Sequence, residues 1–467
     1  MLFNSTIFLV FAVVVIGAHG LLRGRSRTWL LLAASYVFYG AWDVRFLSLI
    51  LLSTAVDFTI AQRLMTTEEP LARRRLLRWS IGVNLGTLGI FKYLGFFVAE
   101  AVPLFSSLGL SPDERLLSIA LPVGISFYTF QTMSYTVDVY RRKIDAEQDL
   151  LTFALFVAYF PQLVAGPIER AGSLLPQLRR TERPITRAAV SSGLQLILLG
   201  YFKKVGLGDV LGGFADQAFD NPEQASGALT LLATYAFAFQ IYCDFSGYSD
   251  IARGVSRLLG VDLIRNFEQP YLSQSITEFW RRWHISLSSW LRDYLYIPLG
   301  GNRKGPRRTY LNLMLTMLLG GLWHGAGWNF VIWGGLNGGL LALERVRGAG
   351  DDPVEWNVSG VLRAVMTFHL VCLCWIFFRA PTFSDASALL SNLASLTTSG
   401  VGADLIAFVA YSVVAVLVID LLQRRSGVHG FTVALRTPAA AFSIALMLLG
   451  TISATGSPAR DFIYFQF

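Results

Sequence analysis

Apolar runs about as long as a bilayer is thick recur along this chain with no soluble block between them. In the first third they are Leu2–Gly20, Trp29–Trp42, Phe46–Gln62, Trp79–Val98 and Leu116–Val137. In the last third they lie near Tyr310–Leu322, Trp328–Leu343, Leu362–Phe378, Leu405–Leu422 and Ala439–Ser453. Lipid offers no partner to backbone N–H and C=O groups, so segments of this kind must satisfy them internally, as helices do. Only 15% of the 467 residues are charged, against about 25% in soluble proteins, and mean hydropathy is +0.50. The pattern predicts an all-α polytopic membrane protein with about ten to twelve transmembrane helices plus re-entrant or interfacial ones. We read residues 1–467 as a single membrane domain.

Basic residues alternate between loops. Three Arg lie in 21–28, five in 63–78 and eight Lys or Arg in 141–187, whereas the intervening loops hold Arg45 and Arg115. By the positive-inside rule the N-terminus faces outside and the three basic loops face the cytoplasm. Leu2–Gly20 lacks a basic region ahead of it and a small-residue cleavage site, so it reads as the first span rather than a signal peptide.

The middle is less regular. Leu151–Val164 is apolar but short, as a re-entrant or interfacial piece would be. Ala188–Gly206 is interrupted by Lys203 and Lys204, and Ala228–Cys243 is another candidate span. Tyr271–Tyr296 mixes aromatics with Arg281, Arg282, His284, Arg292 and Asp293, and is too charged to face lipid. The Gly-rich segments do not fall at matching places in two halves, as an inverted-repeat transporter requires.

Net charge is +8, but the cations are scattered through membrane loops, which gives no nucleic-acid footprint. Cys243, Cys372 and Cys374 form neither a disulfide framework nor a zinc pattern, and no metal site is expected.

Within this frame one residue stands out. From Thr309 to Leu343 there is no Asp, Glu, Lys or Arg, and His324 is the only side chain there that titrates near neutral pH. A titratable ring at membrane depth is expensive, which makes it a functional candidate. Imidazole suits proton transfer at neutral pH and would serve as a general base toward an acceptor hydroxyl or thiol. The bland alternative is a buried His bonded to a neighbouring helix.

Two further constellations accompany it. In Glu278–Ser288 the order Trp280-Arg281-Arg282-Trp283-His284 reads either as an interfacial anchor or as a second polar wall, with His284 placing a donor or orienting His324. Gly300-Gly301-Asn302-Arg303-Lys304-Gly305-Pro306-Arg307-Arg308 combines glycines and cations, so its backbone N–H groups and charge could hold phosphates. The plain alternative is a cytoplasmic positive-inside loop. Asp244 and Asp250 are expected to form structural ion pairs, with Arg253, Arg281 or Arg282 as partners. His19, His369 and His429 show no polar cluster and read as structural.

Together, Phe160–Ile168, Asp244–Asp250, Glu278–Arg303, Gly321-Leu322-Trp323-His324-Gly325 and Phe462–Phe467 resemble the membrane-bound O-acyltransferase superfamily. The branch is that of the alginate O-acetyltransferase membrane subunit, and the resemblance covers nearly the whole chain. It implies helices around a thin central region joining a cytoplasmic and an external funnel. It also implies that His324 matches the catalytic histidine and His284 the second histidine of a tunnel. Trp280, Trp283, Trp323, Trp328, Asn329 and Asn337 would line that tunnel. Many relatives carry a further His near the position of Asn337, so a third histidine is either dispensable in this chain or has its hydrogen bond replaced by Asn337.

The function so implied is transfer of an acetyl group from cytoplasmic acetyl-CoA, a co-substrate rather than a tightly bound cofactor, across a bacterial inner membrane. A secreted or periplasmic SGNH-type acetyltransferase would then modify a polysaccharide. Arg281, Arg282, Asn302, Arg303, Lys304, Arg307 and Arg308 would hold the donor's phosphates. No Ser- or Cys-based relay is evident, which favours direct transfer. Two alternatives stand beside this: D-alanyl transfer to teichoic acid-like polymers, and a proton-coupled transporter with His324 as relay.

Overall fold

The computed structural model describes residues 1–107, 122–164, 166–180, 185–348, 354–395, 397–429, 437–454, 460 and 462–463. The start of the expected span Leu116–Val137 and the end of Phe462–Phe467 lie outside them. The described residues are helical, with no strand among them. The chain forms two compact units: Met1–Gly193 with Ala252–Ile264, and Leu194–Ile251 with Arg265–Phe467.

The first unit holds α1 (Thr6–Leu21), α2 (Arg25–Gly40), α3 (Leu47–Thr66), α4 (Pro70–Leu88), α5 (Leu94–Ser107), α6 (Ile125–Tyr140), α7 (Leu150–Ala158), α8 (Phe160–Leu163) and α9 (Ala171–Arg179). Polar groups join α3, α4 and α6. Asp57, wholly buried, accepts hydrogen bonds from Ser80, from Asn84 at 2.8 Å and from Thr136 at 3.0 Å. Between helices that lipid cannot drive together, such bonds hold the packing. The expected short piece Leu151–Val164 is α7 and α8, broken at Tyr159 and buried throughout.

Two helices cross the unit boundary, α10 (Arg187–Tyr201) and α12 (Gly227–Leu258). The second unit contains their larger or remaining parts with α11 (Asp209–Phe219), α13 (Ile276–Arg282), α14 (Ile285–Leu291), α15 (Pro306–His324), α16 (Trp328–Val346), α17 (Val358–Arg379), α18 (Phe383–Ser395), α19 (Ala403–Ser426) and α20 (Thr437–Ala454).

The apolar run Ala228–Cys243 continues as helix for another four turns, past Asp244 and Asp250. Cations from the π-helical turn Phe202–Gly208 make this possible. Lys203 Nζ meets Asp250 at 2.9 Å, and Lys204 Nζ meets Asp209 at 2.7 Å and Asp244 at 2.8 Å. All of these groups are at least nine-tenths buried, where an unpaired charge would cost several kcal/mol. The two carboxylates are therefore structural, as expected, but their observed partners are lysines of their own unit. His429 is likewise less isolated than its sequence neighbours imply: Nε2 lies 3.2 Å from Asp250.

Among the described residues, five helical stretches are long and apolar enough to cross a bilayer: Val44–Thr66, Pro70–Val102, Gly227–Leu258, Val358–Arg379 and Ala403–Ser426. Three further apolar helices, Thr6–Leu21, Leu150–Leu163 and Pro438–Ala454, are shorter. Within the described residues, the remaining apolar runs of the sequence are also largely helical. Asn, Thr, Gly and Trp dilute the apolarity of α15 and α16, and these are the helices that build the site.

Candidate active site

α15 and α16 form an antiparallel hairpin joined by Gly325-Ala326-Gly327, and glycine sets their spacing. A Cβ at Gly321 would lie 2.1 Å from the Phe330 carbonyl oxygen, one at Gly334 2.3 Å from that of Met317, and one at Gly325 2.0 Å from the Phe330 ring. Only glycine permits this approach. The contact puts His324, the last residue of α15, against α16.

His324 is 4% exposed. Its ring centroid lies 5.0 Å from Trp323, 5.1 Å from Trp333 and 5.3 Å from Phe378, each edge-on. It also lines an open cavity of about 400 Å³. Leu313, Thr316, Met317, Gly320 and His324 form one wall, at the three- and four-residue spacing of a single helix face. That wall runs some 16 Å along α15, at about 1.5 Å per residue. Thr277, Trp280 and Arg281 of α13 face it, with Ile285, Ser288, Ser289 and Arg292 from α14 and the π-helical turn after it. Trp333 and Leu341 of α16 complete it. The cavity thus carries cations and hydroxyls on one side, a long apolar wall on the other, and one imidazole.

His284 is placed by a backbone feature invisible in sequence. It links α13 to α14 with φ 43° and ψ 54°, a left-handed conformation costly for a side-chain-bearing residue. The bend is held from both sides. Ile285 N–H donates to the Asn266 carbonyl at 2.9 Å, and Ser288 N–H to the His284 carbonyl at 2.9 Å. The His284 ring is fully buried, 4.7 Å from Phe245 and 5.8 Å from Trp323, with Ser286 Oγ 3.5 Å from Nδ1. Its centroid lies 6.4 Å from that of His324. This link belongs to neither flanking short helix and to none of the spans, and burial pushes the His284 imidazole down to about 3, so it is neutral. The two histidines come together, and His284 is not among the residues that line this cavity.

The other expected site residues divide. Trp280 and Arg281 line the cavity. Trp323 packs edge-on against both histidines. Trp283 is buried among Phe267, Phe279 and Trp375 and supports α13 from behind. Arg282 is committed to Glu278 at 2.7 Å. Trp328 is 58% exposed and lies away from the cavity, because it opens α16 on the outer face of the hairpin. Asn329 donates to the Ala380 carbonyl at 2.7 Å. Asn337 donates to the Trp333 carbonyl of its own helix at 2.9 Å, holding the residue that packs on His324 rather than touching a histidine itself.

Asn302, Arg303, Lys304, Arg307 and Arg308 are all exposed and line no part of the cavity. Three N–H groups of their loop are already taken within it. Gly300 N–H donates to Ile297, Gly301 N–H to Tyr296 and Arg303 N–H to Gly300. Asn312 ties the loop to α15 through the Gly301 carbonyl at 2.9 Å. Sequence reading missed Arg292, Ser288, Ser289 and Trp333 as wall residues; the helical spacing of 285, 288, 289 and 292 was the available signal.

The site is an imidazole at the end of an amphipathic cavity within a membrane helix hairpin. The model of the membrane-bound O-acyltransferase family, MBOAT, matches residues 142–380, half of the chain and all of this site. The chain belongs to this family. It is 44% identical over 393 residues to "Probable alginate O-acetylase AlgI" of Pseudomonas putida, covering 83% of this chain and 79% of that protein. It is 38% identical to the protein of the same name in Azotobacter vinelandii over the full length of both. A "Peptidoglycan O-acetyltransferase" of Helicobacter pylori is 34% identical over 85% of this chain and 80% of its own length. This MBOAT protein is a multi-pass membrane O-acyltransferase.

Proposed function

We propose that this MBOAT enzyme takes acetyl groups from acetyl-CoA at the cytoplasmic face of a bacterial inner membrane. It passes them across for O-acetylation of an extracytoplasmic polysaccharide, through a periplasmic SGNH-type acetyltransferase. The N-terminus lies outside. The observation that carries the reading is His324 at the end of a cavity that runs along one face of α15. Such a cavity suits a donor with a thin arm and a reactive thioester tip. Relatives named for alginate and for peptidoglycan O-acetylation support a sugar polymer as the acceptor.

In the chemistry we assign, the thioester carbonyl lies beside His324 and an acceptor hydroxyl approaches it. The imidazole takes the hydroxyl proton as the oxygen attacks the carbonyl carbon. The C–S bond breaks, and the proton passes from the imidazolium to the departing thiolate, restoring the base. General-base catalysis of this kind contributes about 10²–10⁴-fold. The rings of Trp323, Trp333 and Phe378 exclude water from the imidazole, which limits hydrolysis of the thioester. His284 acts as a positioning residue: it packs on Trp323, which packs on His324. The exposed cations Arg303, Lys304, Arg307 and Arg308 draw an anionic donor to this end of the hairpin.

The test is donor choice by the purified protein in lipid nanodiscs, given secreted acetyltransferase candidates as acceptors. Thiol release from acetyl-CoA, with none from a D-alanyl-loaded carrier protein, is the expected result. The reverse preference would overturn the acetyl assignment.

A further inference from the structure

A small cavity lies within the first unit, where the end of α1, the start of α2 and the end of α9 meet. Its volume is about 30 Å³, roughly twice what one water needs, so it admits one compact polar group and no acyl chain. His19 of α1, Arg27 and Thr28 of α2, Gln177 of α9 and Arg180 just past α9 line it.

Two of these side chains are open to a ligand. His19 is 5% exposed, and its Nδ1 has no hydrogen-bond partner among the described residues. A buried polar atom left in that state calls for a partner from outside the chain. Arg180 is exposed, and its guanidinium makes no hydrogen bond or ion pair among the described residues. The other polar groups hold the wall in shape. Arg27 Nε donates to the carbonyls of His19 at 3.1 Å and Leu22 at 2.7 Å, which closes the end of α1. Gln177 donates to the Asp262 carbonyl at 3.0 Å and accepts from the Asp262 N–H at 3.0 Å. The carboxylates of the flanking segments are paired: Asp149 with Arg25 at 2.8 Å, Glu147 with Arg179 at 2.6 Å and Asp262 with Arg257 at 2.9 Å. None of the three lines the cavity, so its wall is positive.

The cavity lies where an apolar helix gives way to basic chain. α1 ends at the exposed Leu21, and Arg23, Arg25 and Arg27 follow. Trp29, the residue after Thr28, is exposed as well. Tryptophan and arginine at the end of an apolar helix mark headgroup depth, and basic pockets at that depth hold anionic headgroups. We infer that this cavity seats the phosphate group of an anionic phospholipid. Arg180 meets the phosphate oxygens, His19 donates a ring N–H to one of them, and the fixed Arg27 adds its charge. The glycerol and acyl parts stay outside, against Leu21 and Trp29. The inference does not depend on the choice of acyl donor.

The experiment titrates dioctanoyl phosphatidylglycerol into the full-length protein in detergent, after removal of co-purified lipid, and reads the thermal midpoint. Dioctanoylglycerol, which lacks the phosphate, and inorganic phosphate are titrated in parallel. The wild type should show a saturable rise with phosphatidylglycerol and none with dioctanoylglycerol. Arg180→Ala removes an exposed, unpaired side chain, so its midpoint without lipid should match the wild type while its Kd for phosphatidylglycerol rises about tenfold. His19→Phe, which keeps a buried ring without its nitrogens, should raise Kd by a smaller factor. The same Kd in all three proteins would overturn the inference. So would an equal rise with dioctanoylglycerol, which would mean apolar contact alone. Inorganic phosphate that binds as tightly as the lipid, and is weakened alike by Arg180→Ala, would overturn the lipid as the source and assign the seat to free phosphate.

Discussion

At the residue scale the account turns on two histidines with different duties. His324 was legible in sequence because a lone titratable ring stood in a charge-free stretch. His284 was legible as one polar residue among arginines and, through the family resemblance, as a second histidine, but its left-handed backbone was not, since nothing in Trp283-His284-Ile285 signals a positive φ. A ring held neutral by burial changes charge only well below physiological pH. With its value lowered to about 3, His284 stays uncharged throughout pH 5–8. His284→Asn is therefore expected to lower kcat while leaving the shape of the pH–rate profile across that interval unchanged. A limb between pH 5 and 8 that disappears in the variant would mean that His284 itself exchanges the proton.

At the element scale the site depends on how closely α15 and α16 approach. The glycines were visible in sequence, but not which of them touch. Gly334 lies under the Met317 carbonyl, whereas a Cβ at Gly339 of the same helix would meet nothing within 4 Å. Overpacking of this kind costs about 1–3 kcal/mol, and alanine at an open helical site stabilises by up to about 1 kcal/mol. Gly334→Val is thus expected to lower the thermal midpoint in detergent and to abolish transfer, while Gly339→Ala leaves both near wild type. Equal midpoints for the two variants would remove the hairpin contact as the element that sets the site. The lysines of Phe202–Gly208 carry a related lesson. They looked like interruptions of a span, yet they are what allows α12 to continue through Asp244 and Asp250.

For the whole molecule, apolar periodicity was enough to give an all-helical membrane protein, because lipid leaves the backbone little choice. Motif order was enough to give the O-acyltransferase family. What sequence could not give was which side chains share a space. Trp328 sits near His324 in the chain but is exposed and off the cavity, whereas Arg292 and Ser288, more than thirty residues earlier, line it. The central claim is that this protein is a thioester-using acyltransferase whose base is His324. Its most direct test is thiol release from acetyl-CoA by the full-length protein in nanodiscs, comparing wild type with His324→Ala at matched folding. The account predicts a fall in kcat of about 10²–10⁴-fold with an unchanged thermal midpoint. Equal release by the two proteins would take His324 out of the chemistry and contradict it.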